Sequence, residues 1–101
     1  MLADISGPGR IVHFRDNITS RETHHLQYHV LRMYWDGEQE PSVEVPIGDF
    51  FAVGFGFTEK FASAFMCIDH QPGKPADSAT FGAARNCYIP MPFTRSARLT
   101  L

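Results

Sequence analysis

Five carboxylates crowd one short stretch of this chain, Asp36, Glu38, Glu40, Glu44 and Asp49, and the single Trp, Trp35, stands at its head. A pair of carboxyl groups can share general acid/base work or divide it into acid and nucleophile. Glu44 and Asp49 are the best candidates for such a pair, because each flanks an ordered strand and not a loop tip. The plainer reading is that Asp36 and Asp49 bond nearby backbone amides in turns and that the glutamates are solvated.

His24, His25 and His29 form a second cluster. On a strand His25 and His29 share a face and His24 takes the other. Two imidazoles can begin a metal site, but zinc wants three or four protein ligands, so an exposed polar face is expected and no metal or other cofactor is assigned. His13 stands alone among apolar residues and reads as a hydrogen-bonded core or interface histidine. Cys67 and Cys87 lie in apolar runs without CxxC spacing and without a basic neighbour to lower a thiol pKa. They read as buried free thiols; one disulfide between neighbouring strands is the alternative, and it needs an oxidising compartment. No GxSxG elbow occurs, and Gly54-Phe55-Gly56 lacks the rest of a dinucleotide loop.

Charge narrows the partners. Nine Lys and Arg against eleven Asp and Glu give a net charge of −2, without the basic footprint of a nucleic-acid binder. The N-terminus lacks the basic and apolar regions of a secretory signal, and no apolar run reaches membrane-spanning length. The expectation is a soluble, cytoplasmic chain, unless it derives from a longer exported protein.

The elements that must position these residues read as short strands. A chain of 101 residues makes one domain. Residues 1–10 read as a loose lead-in broken at Gly7-Pro8-Gly9, and RIVHFR (residues 10–15) as a first strand. In residues 26–35 the apolar phase changes part-way, from Leu26, Tyr28 and Val30 to Leu31, Met33 and Trp35. That pattern predicts one strand with a bulge or with both faces buried; helix is disfavoured by its Tyr, Val, Trp and His content. Asp36-Gly37 signals a hairpin turn, and prolines border a short edge strand at residues 42–45. Ile47-Gly48-Asp49 turns the chain into a strand over 50–57. Residues 60–68 are strand or short helix, 69–85 a long loop, 86–93 an extended edge, and 96–101 a terminal strand. The sum is all-β: a single sandwich of short strands with one long loop. Phe50, Phe51, Phe55 and Phe57 fall on both phases of their expected strand, and a second apolar face needs a partner. They are the candidate interface residues, and a homo-oligomer is the expected partner.

Three segments carry a family resemblance: GPGRIVHF (residues 7–14), LRMYWDGEQEPSVEVPIGDFFAVGFG (31–56) and NCYIPMPFTRSARLTL (86–101). In order and spacing they resemble signatures of the family of unknown-function proteins numbered 2961, also grouped as glycoside hydrolase family 172. The resemblance implies a jelly-roll sandwich over residues 1–101, corresponding to the N-terminal half of a two-sandwich family whose members run to roughly three or four times this length. It also implies trimers or hexamers with a capsid-like outline. The activity it implies is retaining cleavage of fructofuranosides, arabinofuranosides or galactofuranosides by two carboxylates about 5–5.5 Å apart. The family's catalytic glutamates are placed in the second sandwich, around a GTEDYF-like motif that this sequence does not contain. No catalytic residue is therefore carried over. In the setting of the family, Trp35, Asp36 and Asp49 become candidates for a carbohydrate subsite, since an aromatic face beside a carboxylate suits a furanose ring. Two functions are expected in turn: a self-assembling module without catalysis of its own, or a subsite-contributing part of a furanoside hydrolase.

Overall fold

A computed structural model describes residues 1–18, 22, 24–53, 61–69 and 84–101. Its two ends run side by side. The strands β1 (Ala3–Ser6), β2 (Gly9–Ile11) and β3 (Phe14–Asp16) pair antiparallel with β10 (Ser96–Thr100), β9 (Met91–Phe93) and β8 (Ala84–Cys87) respectively. Between these arms lie α1 (His25–Tyr28), β4 (Val30–Trp35), β5 (Val43–Pro46), α2 (Ile47–Phe50), β6 (Phe61–Ala62) and β7 (Met66–Asp69). The first sheet is ordered β1-β10-β4-β5, the second β3-β8-β7-β6, and β2-β9 bridges them as a two-stranded ribbon. Pairing of first arm with last is the outer winding of a jelly roll, while β4–β5 and β6–β7 close as local hairpins.

Period-two patterning builds the core. Leu31 and Met33 on β4 and Ala97 and Leu99 on β10 point inward and are essentially inaccessible, whereas Arg32, Tyr34 and Arg98 alternate outward. Ile68 and Cys87 from the second sheet join the same buried cluster, together with Leu26, Ile47, Phe51, Val53 and Phe93. One core between two sheets makes the protein an all-β sandwich.

Several boundaries differ from the sequence expectation. The lead-in is not loose, since β1 adds to the first sheet. RIVHFR does not make one strand: Ile11 ends β2 and Phe14 opens β3, in different sheets. The phase change within residues 26–35 is not a bulge but the junction of α1 with β4. Histidine side chains make that turn possible: His25 Nδ1–H donates to the Glu22 carbonyl at 2.8 Å and His29 Nδ1–H to the His25 carbonyl at 2.6 Å. Low helix propensity yields here to local side-chain bonding and to burial of Leu26. Gly48 of α2 lies so close that a Cβ there would sit 3.0 Å from the Leu26 Cβ.

The strand expected from residue 50 is replaced by the end of α2. Ala52 N–H donates to the Asp49 carbonyl at 3.0 Å and Val53 N–H to the Gly48 carbonyl at 2.8 Å. Ala52 between them is left-handed, at φ 61°; this is a Schellman stop. Residues 54–57, with Phe55 and Phe57, and most of the expected long loop at 69–85 lie outside the described residues. The extended edge expected over residues 86–93 is split: its first residues belong to β8, an inner strand of the second sheet, and β9 pairs only with β2, whereas β5 is the edge its prolines predict and the C-terminal strand β10 lies between β1 and β4. Among the described residues no helix is long and apolar enough to cross a membrane.

Candidate functional site

The acidic stretch begins where β4 ends. Glu38 N–H donates to the Trp35 carbonyl at 2.9 Å, and the two residues between, Asp36 and Gly37, both have positive φ, 52° and 86°. That is the backbone an Asp-Gly turn supplies. The turn aims the Asp36 carboxylate at the bend over residues 94–96. Its Oδ1 accepts the backbone N–H groups of Thr94 at 3.0 Å, Arg95 at 2.6 Å and Ser96 at 3.1 Å, and its Oδ2 accepts the Thr94 hydroxyl at 2.8 Å. These donors, that of Arg95 foremost, hold the Asp36 pKa down at about 2. A carboxylate so held stays ionised and donates no proton at neutral pH. Asp36 is the clasp between β4 and β10.

The neighbouring carboxylates are engaged as well. Glu38 Oε2 accepts the Ser42 hydroxyl at 2.6 Å and the Trp35 N–H at 3.2 Å. Glu44 pairs with Arg32, its register partner across β4 and β5, at 2.6 Å. Asp49 is exposed on α2. Pro46, just before α2, pairs with Val30 at the start of β4, whereas Asp36 follows the end of that strand. A rise of ~3.3 Å per residue puts the two ends roughly 17 Å apart. Trp35 is half-buried on the core side, level with Ala97. The three candidate subsite residues therefore do not converge: Trp35 faces inward, Asp36 clasps the 94–96 bend, and Asp49 sits at the far end of the strand.

What does converge is a polar recess that no sequence motif announces. Asp4, Tyr34, Gly37, Glu38, Gln39, Ser96 and Arg98 line a depression of about 190 Å3 on the outer face of the first sheet. A second depression of about 280 Å3, lined by Asp36, Gly37, Arg95 and Ser96, shares two of its lining residues. Strand alternation could have placed Tyr34 and Arg98 outward, but the pairing that unites them joins residues far apart in sequence.

With this geometry in view, a family model described as GH172 domain-like matches residues 1–101. The chain belongs to the GH172 family. A comparison with curated proteins gave no match.

In this GH172 chain two of the four candidate interface phenylalanines, Phe50 and Phe51, fall among the described residues. Phe51 is fully buried within its own molecule, stacked on Phe14 at a centroid distance of 5.6 Å and edge-on to Phe50 at 5.0 Å. It has no surface to offer. Phe50 is half-buried in the same aromatic cluster. The described residues that expose large apolar side chains are Met1, Leu2, Ile5, Val12, Tyr28, Phe65, Tyr88, Ile89 and Leu101. Two of them are joined directly, since the Tyr88 N–H donates to the Phe65 carbonyl at 2.7 Å, and Tyr88 stacks on His13 at 4.5 Å. His13 is exposed and bonds Asn86 at 3.0 Å.

The histidine cluster sits on α1 and its flanks, not on a strand, and among the described residues no group of three or more His, Cys, Asp and Glu could hold a metal. The GH172 sandwich also buries a charge pair that the sequence reading missed. Arg85 on β8 faces Asp16 on β3 in register, their side chains almost wholly enclosed and bonded to each other.

Proposed function

We propose that this GH172 chain is a self-assembling jelly-roll module that performs no catalysis by itself. The observation that carries the reading is the exposure of Phe65 and Tyr88, joined by a hydrogen bond from the Tyr88 N–H to the Phe65 carbonyl, with Val12 beside His13 and Ile89 beside Tyr88 in the chain also exposed; apolar side chains left exposed together mark an interaction site. The occupied state of the acidic stretch supports the same reading: Asp36, Glu38 and Glu44 each bond to their own fold. A symmetric homo-oligomer is the usual product of such self-association.

Light scattering and sedimentation test the proposal. A defined oligomer at micromolar concentration, shifted toward monomer by Phe65→Lys or Ile89→Lys without loss of folded structure, is the expected result. A monodisperse monomer would overturn it. The alternative is that the chain contributes a subsite to a retaining hydrolase acting on fructofuranosides or arabinofuranosides. Turnover of p-nitrophenyl arabinofuranoside, abolished by Glu44→Gln or Asp49→Asn, would favour that alternative over the non-catalytic module.

A further inference from the structure

The two edges of the first sheet are not built alike. At one edge β5 is preceded by Pro41 and ends on Pro46, and its exposed Glu44 is ion-paired with Arg32. Prolines and charges of this kind guard an edge against pairing with another strand. At the other edge β1 has no proline and no lysine, and its Asp4, Ile5 and Ser6 are all exposed. Ile5 stands opposite Ala97, so its side chain lies on the core side of the sheet. Yet Ile5 is 38% exposed, whereas Ala97 and Leu99 on the adjacent strand are 0% and 2% exposed. A core-facing apolar side chain left this open marks a sheet that a further strand would complete.

The register shows which groups would meet that strand. Gly7 N–H donates to the Arg95 carbonyl at 2.7 Å, and Asp36 N–H to the Ser96 carbonyl at 2.8 Å. Ile5 is paired with Ala97, and Ala97 with Trp35. Antiparallel alternation then turns the main-chain groups of Ala3 and Ile5 toward β10 and those of Asp4 and Ser6 toward the open edge. The side chains of Asp4 and Ser6 are unengaged as well. Asp4 stands beside Arg98, but the Arg98 guanidinium lies over Tyr34 on β4, 4.1 Å from the ring centroid. Neither Asp4 nor Ser6 makes a side-chain hydrogen bond or an ion pair among the described residues.

We infer that β1 pairs antiparallel with β1 of a second copy of this chain, joining the two first sheets into one continuous sheet. The strand's own residues select the register. Within β1 only Asp4 and Ser6 offer main-chain bonds across the edge, so alternate registers about a two-fold axis are open. Asp4 opposite the partner's Asp4 sets like charges face to face, which is destabilising. Ser6 opposite the partner's Ser6 brings Asp4 to the partner's Pro8, which has no N–H to give. Asp4 opposite the partner's Ser6 meets neither obstacle. In that register each serine hydroxyl donates to the facing carboxylate. Ile5 meets the partner's Ile5 as a non-hydrogen-bonded pair, the closer of the two antiparallel spacings, and the two exposed side chains cover one another. The contact is self-complementary, as a two-fold interface must be. It rests on the self-assembly reading above and adds to it a surface other than Phe65 and Tyr88.

The test is site-directed cross-linking of the 101-residue chain, with Cys67→Ser removing the half-buried native thiol. Under mild oxidation Ile5→Cys should form a disulfide-linked dimer. Asp4→Cys and Ser6→Cys should each link poorly alone and link to one another when the two variants are mixed. In sedimentation, Ile5→Lys should weaken association about tenfold or more, with circular dichroism checking the fold; if that variant does not fold, the cysteine series decides. Absence of the Ile5→Cys dimer would overturn the inference, as would self-linking of Asp4→Cys or an oligomer indifferent to Ile5→Lys. If that oligomer still dissociates in Phe65→Lys, self-assembly stands and only the edge pairing falls. Dissociation by Ile5→Lys but not by Phe65→Lys would keep the edge pairing and remove the other surface. A monomer whose Asp4 and Ser6 amides resist hydrogen exchange would overturn the pairing too, the edge then being covered by another part of the same chain.

Discussion

Asp36 and Arg95 are bonded to each other in both directions: the Asp36 carboxylate accepts the Arg95 backbone N–H at 2.6 Å, and the Arg95 guanidinium donates to the Asp36 carbonyl at 2.6 Å. The pair ties the turn after β4 to the bend before β10, the two central strands of the first sheet.

The pH dependence of stability should report this clasp. The Asp36 pKa is about 2 in the folded chain against a model-compound value of 3.8. A depressed carboxylate stabilises the fold in full above its unfolded value, and the contribution is lost as pH falls through the folded one. Urea midpoints should therefore decline between about pH 4 and pH 2 in the wild type. In Asp36→Asn, which tolerates the positive φ but cannot ionise, this part of the decline should vanish and the neutral-pH midpoint should be lower. An unchanged acid branch in the variant would refute the clasp.

How far the sequence could have led depends on the range of the interaction. The Asp-Gly turn, the Pro-bordered edge β5 and the alternation of β10 rest on neighbours within a few residues, and each was legible. Helix α1 was not, because its stabilisation comes from two imidazole-to-carbonyl bonds and from Leu26 packing against Gly48. Phe51 looked like surplus surface only while it was assigned to a strand. Once the chain stops in a Schellman turn at Ala52, the same ring points into the core. Of the candidate site, the carboxylates were found but not their duties. The Asp4–Arg98–Tyr34 row depends on pairing between the first arm, the last arm and the middle of the chain, which no local pattern encodes.

The buried Arg85–Asp16 pair should behave as a unit. Their side chains are 1% and 9% exposed, and Arg85 Nε and Asp16 Oδ2 have no partner among the described residues. Loss of one charge strands the other in the interior, at a cost of about 3–5 kcal/mol. Asp16→Leu and Arg85→Met should each lower stability by that order in chemical denaturation. The double variant should recover most of the loss, because a well-packed apolar pair avoids the desolvation penalty. Additive losses in the four-member cycle would show that the two side chains do not depend on one another.

The cysteines should remain unlinked under oxidation. Cys67 stands opposite Asn86, and Cys87 opposite Met66, on the paired strands β7 and β8. This one-residue offset puts the two thiols on opposite faces of the sheet. Thiol titration should find Cys67, which is half-buried, reactive in the native protein, and Cys87, fully buried, silent until denaturant is added. Oxidation of the folded chain should yield no intramolecular disulfide by mass spectrometry. A linked pair would contradict the β7–β8 register.

The last turn of α2 offers a stabilising substitution. Ala52 occupies the left-handed position of the Schellman stop at φ 61°, and its side chain is exposed. A Cβ in that conformation costs about 1–2 kcal/mol. Glycine relieves the strain but loses more backbone entropy on folding, about 0.5–1 kcal/mol. Ala52→Gly should thus raise stability by roughly 0.5–1 kcal/mol on balance, measured as a higher urea midpoint at unchanged slope. Ala52→Val, with a branched side chain in the same conformation, should lower it. If glycine destabilises instead, Ala52 does not hold the left-handed conformation in solution, and the helix does not end by this stop.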